Sequence, residues 1–253
     1  MRRLFISDLH LQPERPDISR AFRYFLSKIA PACDELYLLG DIFEYWIGDD
    51  APLPGLEPLF DQLQQLSSQG SRLFFMHGNR DFLVGEQLMH RIGATLLPAQ
   101  HQLQMNGETA LLLHGDELCT DDAEYQRFRA QVRQPQWQQS FLAKPVAERL
   151  AIARELRAAS REQGAMKQET IMDVNPHAVA AAMNQAQADL LIHGHTHRPA
   201  RHPDPRGNGH SERIVLGDWS ESGWYLELSD TGRELIRFTP PADFHPQCTG
   251  TPL

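Results

Sequence analysis

The chain of 253 residues is 41% hydrophobic and carries 24 Lys/Arg against 33 Asp/Glu, a net charge of −9. That length and apolar content suit one large α/β domain, or one domain with an insertion, and exclude global disorder. The acidic balance speaks against general binding to nucleic acid, which needs a basic footprint, and the scattered Cys33, Cys119 and Cys248 read as reduced thiols.

In chain order, Asp8 interrupts the apolar stretch behind Arg2 and Arg3, so no signal peptide is expected, and no run approaches the ~20 apolar residues of a spanning helix. Short runs rich in Leu, Ile and Phe predict strands at 4–6, 35–39, 72–76, 110–113, 190–192, 214–216, 224–228 and 235–238. Between them, 18–29 carries Phe22, Phe25, Leu26 and Ile29 at helical spacing, and 56–67 does the same with Leu59, Leu63 and Leu66. The segment 120–170 reads as helical almost throughout and holds nine Lys/Arg against seven Asp/Glu. Its aromatics, Tyr125 with Phe128 and Trp137 with Phe141, fit either a helical insertion above a site or a peripheral hairpin packed on the body. Asn175-Pro176 marks a helix start, with Asn as cap and Pro in the first turn. Early strand–helix alternation and a β-rich end predict a layered α/β domain over 1–240, followed by a loosely ordered tail, 241–253.

Several strand candidates end in chemistry. Asp8-Leu9-His10, Gly40-Asp41, Gly78-Asn79-Arg80-Asp81, His114-Gly115-Asp116 and His193-Gly194-His195-Thr196-His197 each follow an apolar run. A set of Asp, Asn and His without Cys suits a catalytic transition metal more than a structural zinc. Asp8 and His10, like His195 and His197, stand at i and i+2, so extended backbone would turn both side chains to one side. Asp41, after a glycine that allows a sharp turn, is expected to bridge two ions. His193 is expected to pack behind the site, and His77, His90, His101 and His177 to be satisfied core histidines. Taken singly, a Gly-Asp is a common turn; five such motifs in order are not.

Together these motifs resemble the signature of the calcineurin-like metallophosphoesterases. The longer runs Ile6-Ser7-Asp8-Leu9-His10-Leu11, Leu39-Gly40-Asp41-Ile42-Phe43-Glu44, Met76-His77-Gly78-Asn79-Arg80-Asp81-Phe82-Leu83 and Gly194-His195-Thr196-His197-Arg198-Pro199 are similar to the UDP-2,3-diacylglucosamine pyrophosphatases of lipid A biosynthesis. The resemblance implies an αββα fold, two mixed sheets packed face to face with helices outside, and makes 120–170 a helical cap. It implies two Mn²⁺, one held by Asp8, His10, Asp41 and His197, the other by Asp41, Asn79, His114 and His195. It implies substrate contacts from Asn79, Arg80, Asp122, Ser160, Gly164, Lys167 and His195; Gly164 departs from relatives that carry a polar side chain there, so its contact would have to be through backbone. Ser160, Gly164 and Lys167 would share one helical face.

Many metallophosphoesterases carry His where this chain has Arg80. Arg stays charged and cannot protonate a leaving group, so Arg80 suits a leaving group that departs unaided, such as a phosphate monoester with a second pKa of about 6. The expected reaction is in-line attack on the α-phosphorus by a metal-bridging hydroxide held by Asp41, with Arg80 clamping phosphate oxygens. UMP and 2,3-diacylglucosamine 1-phosphate would result. Phe128, Phe141 and Arg157 are expected in the lid around the acyl chains, with Phe128 and Phe141 sheltering them. Arg149, Arg154, Arg157 and Arg161 would face either anionic lipid headgroups or solvent. The resemblance further implies a peripheral protein, a monomer, on the cytoplasmic face of the bacterial inner membrane. Two other readings stay open: a metallophosphodiesterase acting on cyclic nucleotides or nucleic acid, and a calcineurin-like scaffold without catalysis.

Overall fold

The computed structural model describes residues 1–105, 107–166 and 173–245, with the side chains of 161–166 outside that description. In chain order its elements are β1 (Arg3–Ile6), α1 (Pro16–Tyr24), β2 (Glu35–Leu39), α2 (Glu57–Ser68), β3 (Arg72–Met76), α3 (Glu86–Ile92), β4 (Ala94–Leu96), β5 (Gln100–Met105) and β6 (Glu108–Leu113). There follow α4 (Ala123–Val132), α5 (Pro135–Leu142), α6 (Val146–Met166), α7 (Pro176–Gln185), β7 (Leu190–His193), β8 (Ala200–Pro203), β9 (Glu212–Val215), β10 (Gly223–Ser229) and β11 (Gly232–Phe238).

Two mixed sheets form, in the orders β11-β10-β1-β2-β3-β4 and β5-β6-β7-β9-β8. Side-chain alternation explains why they stack. Phe5, Tyr37 and Leu39 of the first sheet share one buried cluster with Ala110, Leu112, Leu190 and Ile192 of the second. Their neighbours turn outward: Leu4, Ile6, Leu36 and Leu38 pack under α1, α2 and α3, while Leu111, Leu113 and Leu191 pack under α7. Strands buried on both faces read as continuous apolar runs, which is why β1, β2, β6 and β7 were legible. The three that were missed are short or polar: β4 spans three residues, and β5 and β8 are edge strands written Gln-His-Gln-Leu-Gln-Met and Ala-Arg-His-Pro.

The helix expected over 18–29 divides. After α1 the chain widens into a π-helical turn, Phe25–Ile29, and Pro31, which has no N–H to donate, accompanies a short 3₁₀ turn that ends it. The wider turn sets both Phe22 and Phe25 against Trp219, with ring centroids 5.8 and 5.7 Å away. The Asn175 cap is present, its side chain accepting from the His177 and Ala178 N–H groups. The start of the tail is tied down, because Arg20 donates to the Phe244 carbonyl at 3.1 Å and Tyr24 meets the Phe244 ring edge-on; 246–253 lie outside the described residues.

The insertion is three helices, not a hairpin. It is fixed to the body by cations: Arg133 donates to the Gly78 carbonyl at 2.7 Å, and buried Arg149 donates to the Ile47 carbonyl at 2.5 Å and to Asp50.

Candidate metal centre and its cavity

The turns after β1, β2 and β7 bend by an uncommon route. Asp8, His10, Asp41, His195 and His197 all have φ between 53° and 67°. Left-handed backbone is unusual for residues with a Cβ, and such strain collects where a site dictates it. This corrects the reading of extended i, i+2 pairs: the side chains do meet, but through left-handed turns. Gly40, at φ 86°, is required by packing, since a Cβ there would lie 2.6 Å from the Gly78 Cα; a Cβ on Gly78 would collide with Asp41 in turn.

These turns bring all seven expected ligand residues together. Asp8 Oδ2 accepts from the Ser7 hydroxyl at 2.5 Å and from the His195 N–H at 2.9 Å. Asp8 Oδ1 is buried without a hydrogen-bond partner among the described residues, 3.5 Å from His197 Nε2. His10 Nε2 and His197 Nε2 face one another at 3.1 Å. On the other side, Asn79 Oδ1 lies 2.9 Å from both His114 Nε2 and His195 Nδ1. The His114 Nδ1–H donates to the Leu39 carbonyl at 2.9 Å, which fixes the tautomer that turns Nε2 into the site. Asp41 Oδ1 stands between, 3.6 Å from His114 Nε2 and accepting from the Arg80 N–H at 2.9 Å. Donor atoms of Asp8, His10 and His197, and again of Asp8, Asp41 and His114, lie within 4.8 Å of one another.

The charges fit a cation. Burial opposes ionisation of Asp8 and Asp41, yet His197, His114 and His10 hold Asp8 below the ordinary carboxylate range, and His114, His10 and Arg80 do the same for Asp41. Burial works against a charge on His114 too, but Asp41, Asp8 and Asp116 push it up to about 9. Burial and the neighbouring His114 push His195 down to about 4. Protons on imidazoles thus answer two buried carboxylates, a role that metal ions can assume. An Asp8 oxygen buried without a hydrogen-bond partner among the described residues, and the imidazole nitrogens of His10 and His197 converging beside it, fit a metal cradle.

Outside this ring, Asp81 joins two ligand loops by accepting from the Gly78 N–H at 2.7 Å and the Ile42 N–H at 2.8 Å. Asp116 accepts from the Tyr125 hydroxyl at 2.6 Å and Arg129 Nε at 2.7 Å, and the Tyr125 ring stacks on His195. Asp81 and Asp116 stood in the motifs without an assigned role. Tyr125 was legible only as a helical aromatic, because its partner is 70 residues away in the chain.

A cavity of about 690 Å³ opens from this ring into the insertion. Asp41, Asn79, Arg80, His195 and His197 line its polar end, and Trp46, Phe82, Phe128, Trp137, Phe141 and Leu156 its apolar end. Phe141 and Trp137 stack with centroids 5.1 Å apart and also join the core, so the insertion packs on the body and walls the cavity at once. Asp122 lines the cavity while capping α4, its Oδ1 accepting from the Tyr125 N–H at 3.1 Å. Ser160 lines it from α6. The Gly164 backbone belongs to α6, but its surroundings, Lys167 and the Arg161 side chain lie outside the described residues.

Two expectations change. Arg149 is buried against Ile47 and Asp50, and Arg157 turns into the cavity, so neither faces a lipid headgroup; Arg154 alone of the described three is exposed. His90 and His177 are exposed and His101 is half-buried, so none is a core histidine. His77 is half-buried and satisfied, donating Nε2–H to the Val84 carbonyl at 2.7 Å, and fully buried His193 packs behind the site, 3.2 Å from Arg213.

Residues 1–199 match the family described as calcineurin-like phosphoesterase. A UDP-2,3-diacylglucosamine hydrolase of Cellvibrio japonicus is 52% identical over 235 residues, 93% of this chain and 98% of that protein. The protein of the same name from Marinobacter nauticus is 47% identical over 244 residues, 96% of this chain and 100% of that protein. With its two mixed sheets, flanking helices and strand-end cluster of Asp, Asn and His, the chain belongs to the calcineurin-like phosphoesterase family.

Proposed function

We propose that this chain hydrolyses the pyrophosphate bond of UDP-2,3-diacylglucosamine, releasing UMP and 2,3-diacylglucosamine 1-phosphate, as a step of lipid A biosynthesis. The observation that carries the reading is the continuity of the cavity. One chamber joins Asn79, Arg80 and His195 at a charged end to Phe82, Trp137 and Leu156 at an apolar end. That shape suits an amphiphile presenting phosphate at one end and hydrocarbon at the other. A cyclic nucleotide or nucleic acid would leave the apolar end unfilled. The name carried by relatives 52% and 47% identical supports the same substrate.

Two Mn²⁺ would be held by Asp8, His10, Asp41 and His197 and by Asp41, Asn79, His114 and His195, where they would acidify water and neutralise charge on the phosphoryl oxygens. The chain's own groups do the rest. Leu39 orients His114, Asp8 accepts the His195 N–H, and Asp81 locks the loops that carry Asp41 and Asn79. Arg80, its N–H on Asp41 and its guanidinium at the cavity wall, stays charged and binds phosphate oxygens without giving up a proton. The glycolipid phosphate then leaves as a weak base as water attacks the α-phosphorus. Phe128, Phe141 and their apolar neighbours take the acyl chains. No helix among the described residues is long and apolar enough to cross a membrane; the reading places the protein, as a monomer, peripherally on the cytoplasmic face of the inner membrane, where such a substrate resides.

The test is UMP release from UDP-2,3-diacylglucosamine with added Mn²⁺, set against bis-p-nitrophenyl phosphate and cyclic AMP. Strong preference for the nucleotide lipid is expected; equal turnover of all three would remove the substrate assignment.

A further inference from the structure

The cap delivers a cation that neither the metal cradle nor the apolar chamber uses. Glu44 is only 8% exposed, and its two carboxylate oxygens go to different parts of the molecule. Oε2 accepts from Arg80 Nη1, and Oε1 accepts from Arg157 Nε at 3.2 Å. Arg80 belongs to the loop after β3 and Arg157 to α6, yet both line the same cavity beside Asp41 and Asn79. Asp41 Oδ2 lies 3.4 Å from Arg80 Nε, and His10 Nδ1 lies 3.8 Å from Glu44 Oε2, beyond hydrogen-bond reach. Burial, with the charge of Arg80 beside it, holds the Arg157 guanidinium below its ordinary value. The two guanidiniums share Glu44, with Asp41 beside Arg80, and each retains N–H groups that Glu44 does not engage.

We propose that Glu44 is a positioning residue: it gathers Arg80 and the cap's Arg157 into one two-guanidinium clamp for the second phosphate of a diphosphate. The proposal rests on the diphosphate reading of the substrate. A carboxylate with one oxygen for each arginine sets their spacing, and α6 becomes part of the phosphate site as well as a wall for hydrocarbon. Phosphate oxygens make strong bidentate partners for such a pair.

The experiment uses the Mn²⁺-loaded full chain and measures binding of UDP and of UMP at fixed free Mn²⁺, for the wild type, Glu44→Gln, Arg157→Lys and the double variant. UDP affinity is expected to fall about tenfold in each single variant, the loss of a charged hydrogen bond, while UMP affinity changes by less than about threefold. The double variant should be no weaker than about either single one, because both changes disable one unit. Arg149→Ala, which loosens the cap away from the cavity, should lower the melting temperature and leave the UDP-to-UMP ratio unchanged. Equal losses for UDP and UMP, additive losses in the double variant, or unchanged UDP affinity would each overturn the clamp. If UDP selectivity depends on Glu44 as expected but the wild type does not release UMP from UDP-2,3-diacylglucosamine, the clamp stands and the lipid substrate falls.

Discussion

At the strand ends, Asp8, His10, Asp41, His195 and His197 hold left-handed backbone around buried carboxylates; in the cap, α4–α6 are regular helices held down by Arg129, Arg133, Arg149 and Arg157. The first region is rigid because backbone, glycine contacts and the Asp81 bridge over-determine it. The second is attached through side-chain charges and through Phe141, Trp137 and Ile152, which pack on the core. Under the proposed function, chemistry that needs fixed donors would sit in the over-determined region, and recognition of a large hydrocarbon in the cap.

The largest effect should come from the shared carboxylate. Asp41→Asn keeps the shape but removes a buried charge, and UMP release should drop roughly 10³-fold or more, as expected for losing several kcal/mol of electrostatic stabilisation. Chelation of the metals should do the same, with recovery on adding Mn²⁺. A variant that keeps its activity would show that the cradle is not where the chemistry occurs.

Arg80→His comes next. It exchanges a permanent cation for a group able to carry a proton, and hydrolysis of the nucleotide lipid should fall between about tenfold and 100-fold. Full retention of kcat/KM would remove the argument that the leaving group departs unaided.

The cap should respond differently. Phe128 is 37% exposed and lines the cavity, so Phe128→Ser removes little core packing. KM for a long-chain substrate should rise roughly threefold to tenfold, by loss of about 1 kcal/mol of apolar contact, with kcat and melting temperature near wild type. A fall in kcat with unchanged KM would mean that the cap shapes the reacting end.

The smallest effect concerns acid. Burial pushes His77 down from 6.5 to about 4 while its Nε2–H donates to the Val84 carbonyl. Because the unfolded chain takes up this proton first, the stability of the metal-free protein should decline as pH falls from 6.5 towards 4, by about 1 kcal/mol over the first unit from this group. His77→Gln, which keeps the donor, should flatten that part of the melting curve against pH.

The comparison also explains what could be read from the sequence. The cradle was legible because strands buried on both faces are apolar and metal chemistry demands Asp, Asn and His where they end. Its left-handed geometry was not, since Asp8 and His10 look like any i, i+2 pair. In the cap the helical character was plain, yet the division into α4, α5 and α6 was not, and the pairing of Arg157 with Glu44 was hidden because the two are 113 residues apart. Edge strands β5 and β8 escaped notice for the opposite reason: half-exposed, they carry little apolar signal.

The central claim is that cradle and cap serve one substrate. It is tested most directly by kcat/KM for Mn²⁺-dependent UMP release from UDP-2,3-diacylglucosamine against UDP-N-acetylglucosamine, which has the same diphosphate and no long chains. The account predicts a preference of at least about 100-fold for the diacyl substrate, the apolar binding energy being expressed at the reacting phosphate. Equal turnover of the two would contradict it.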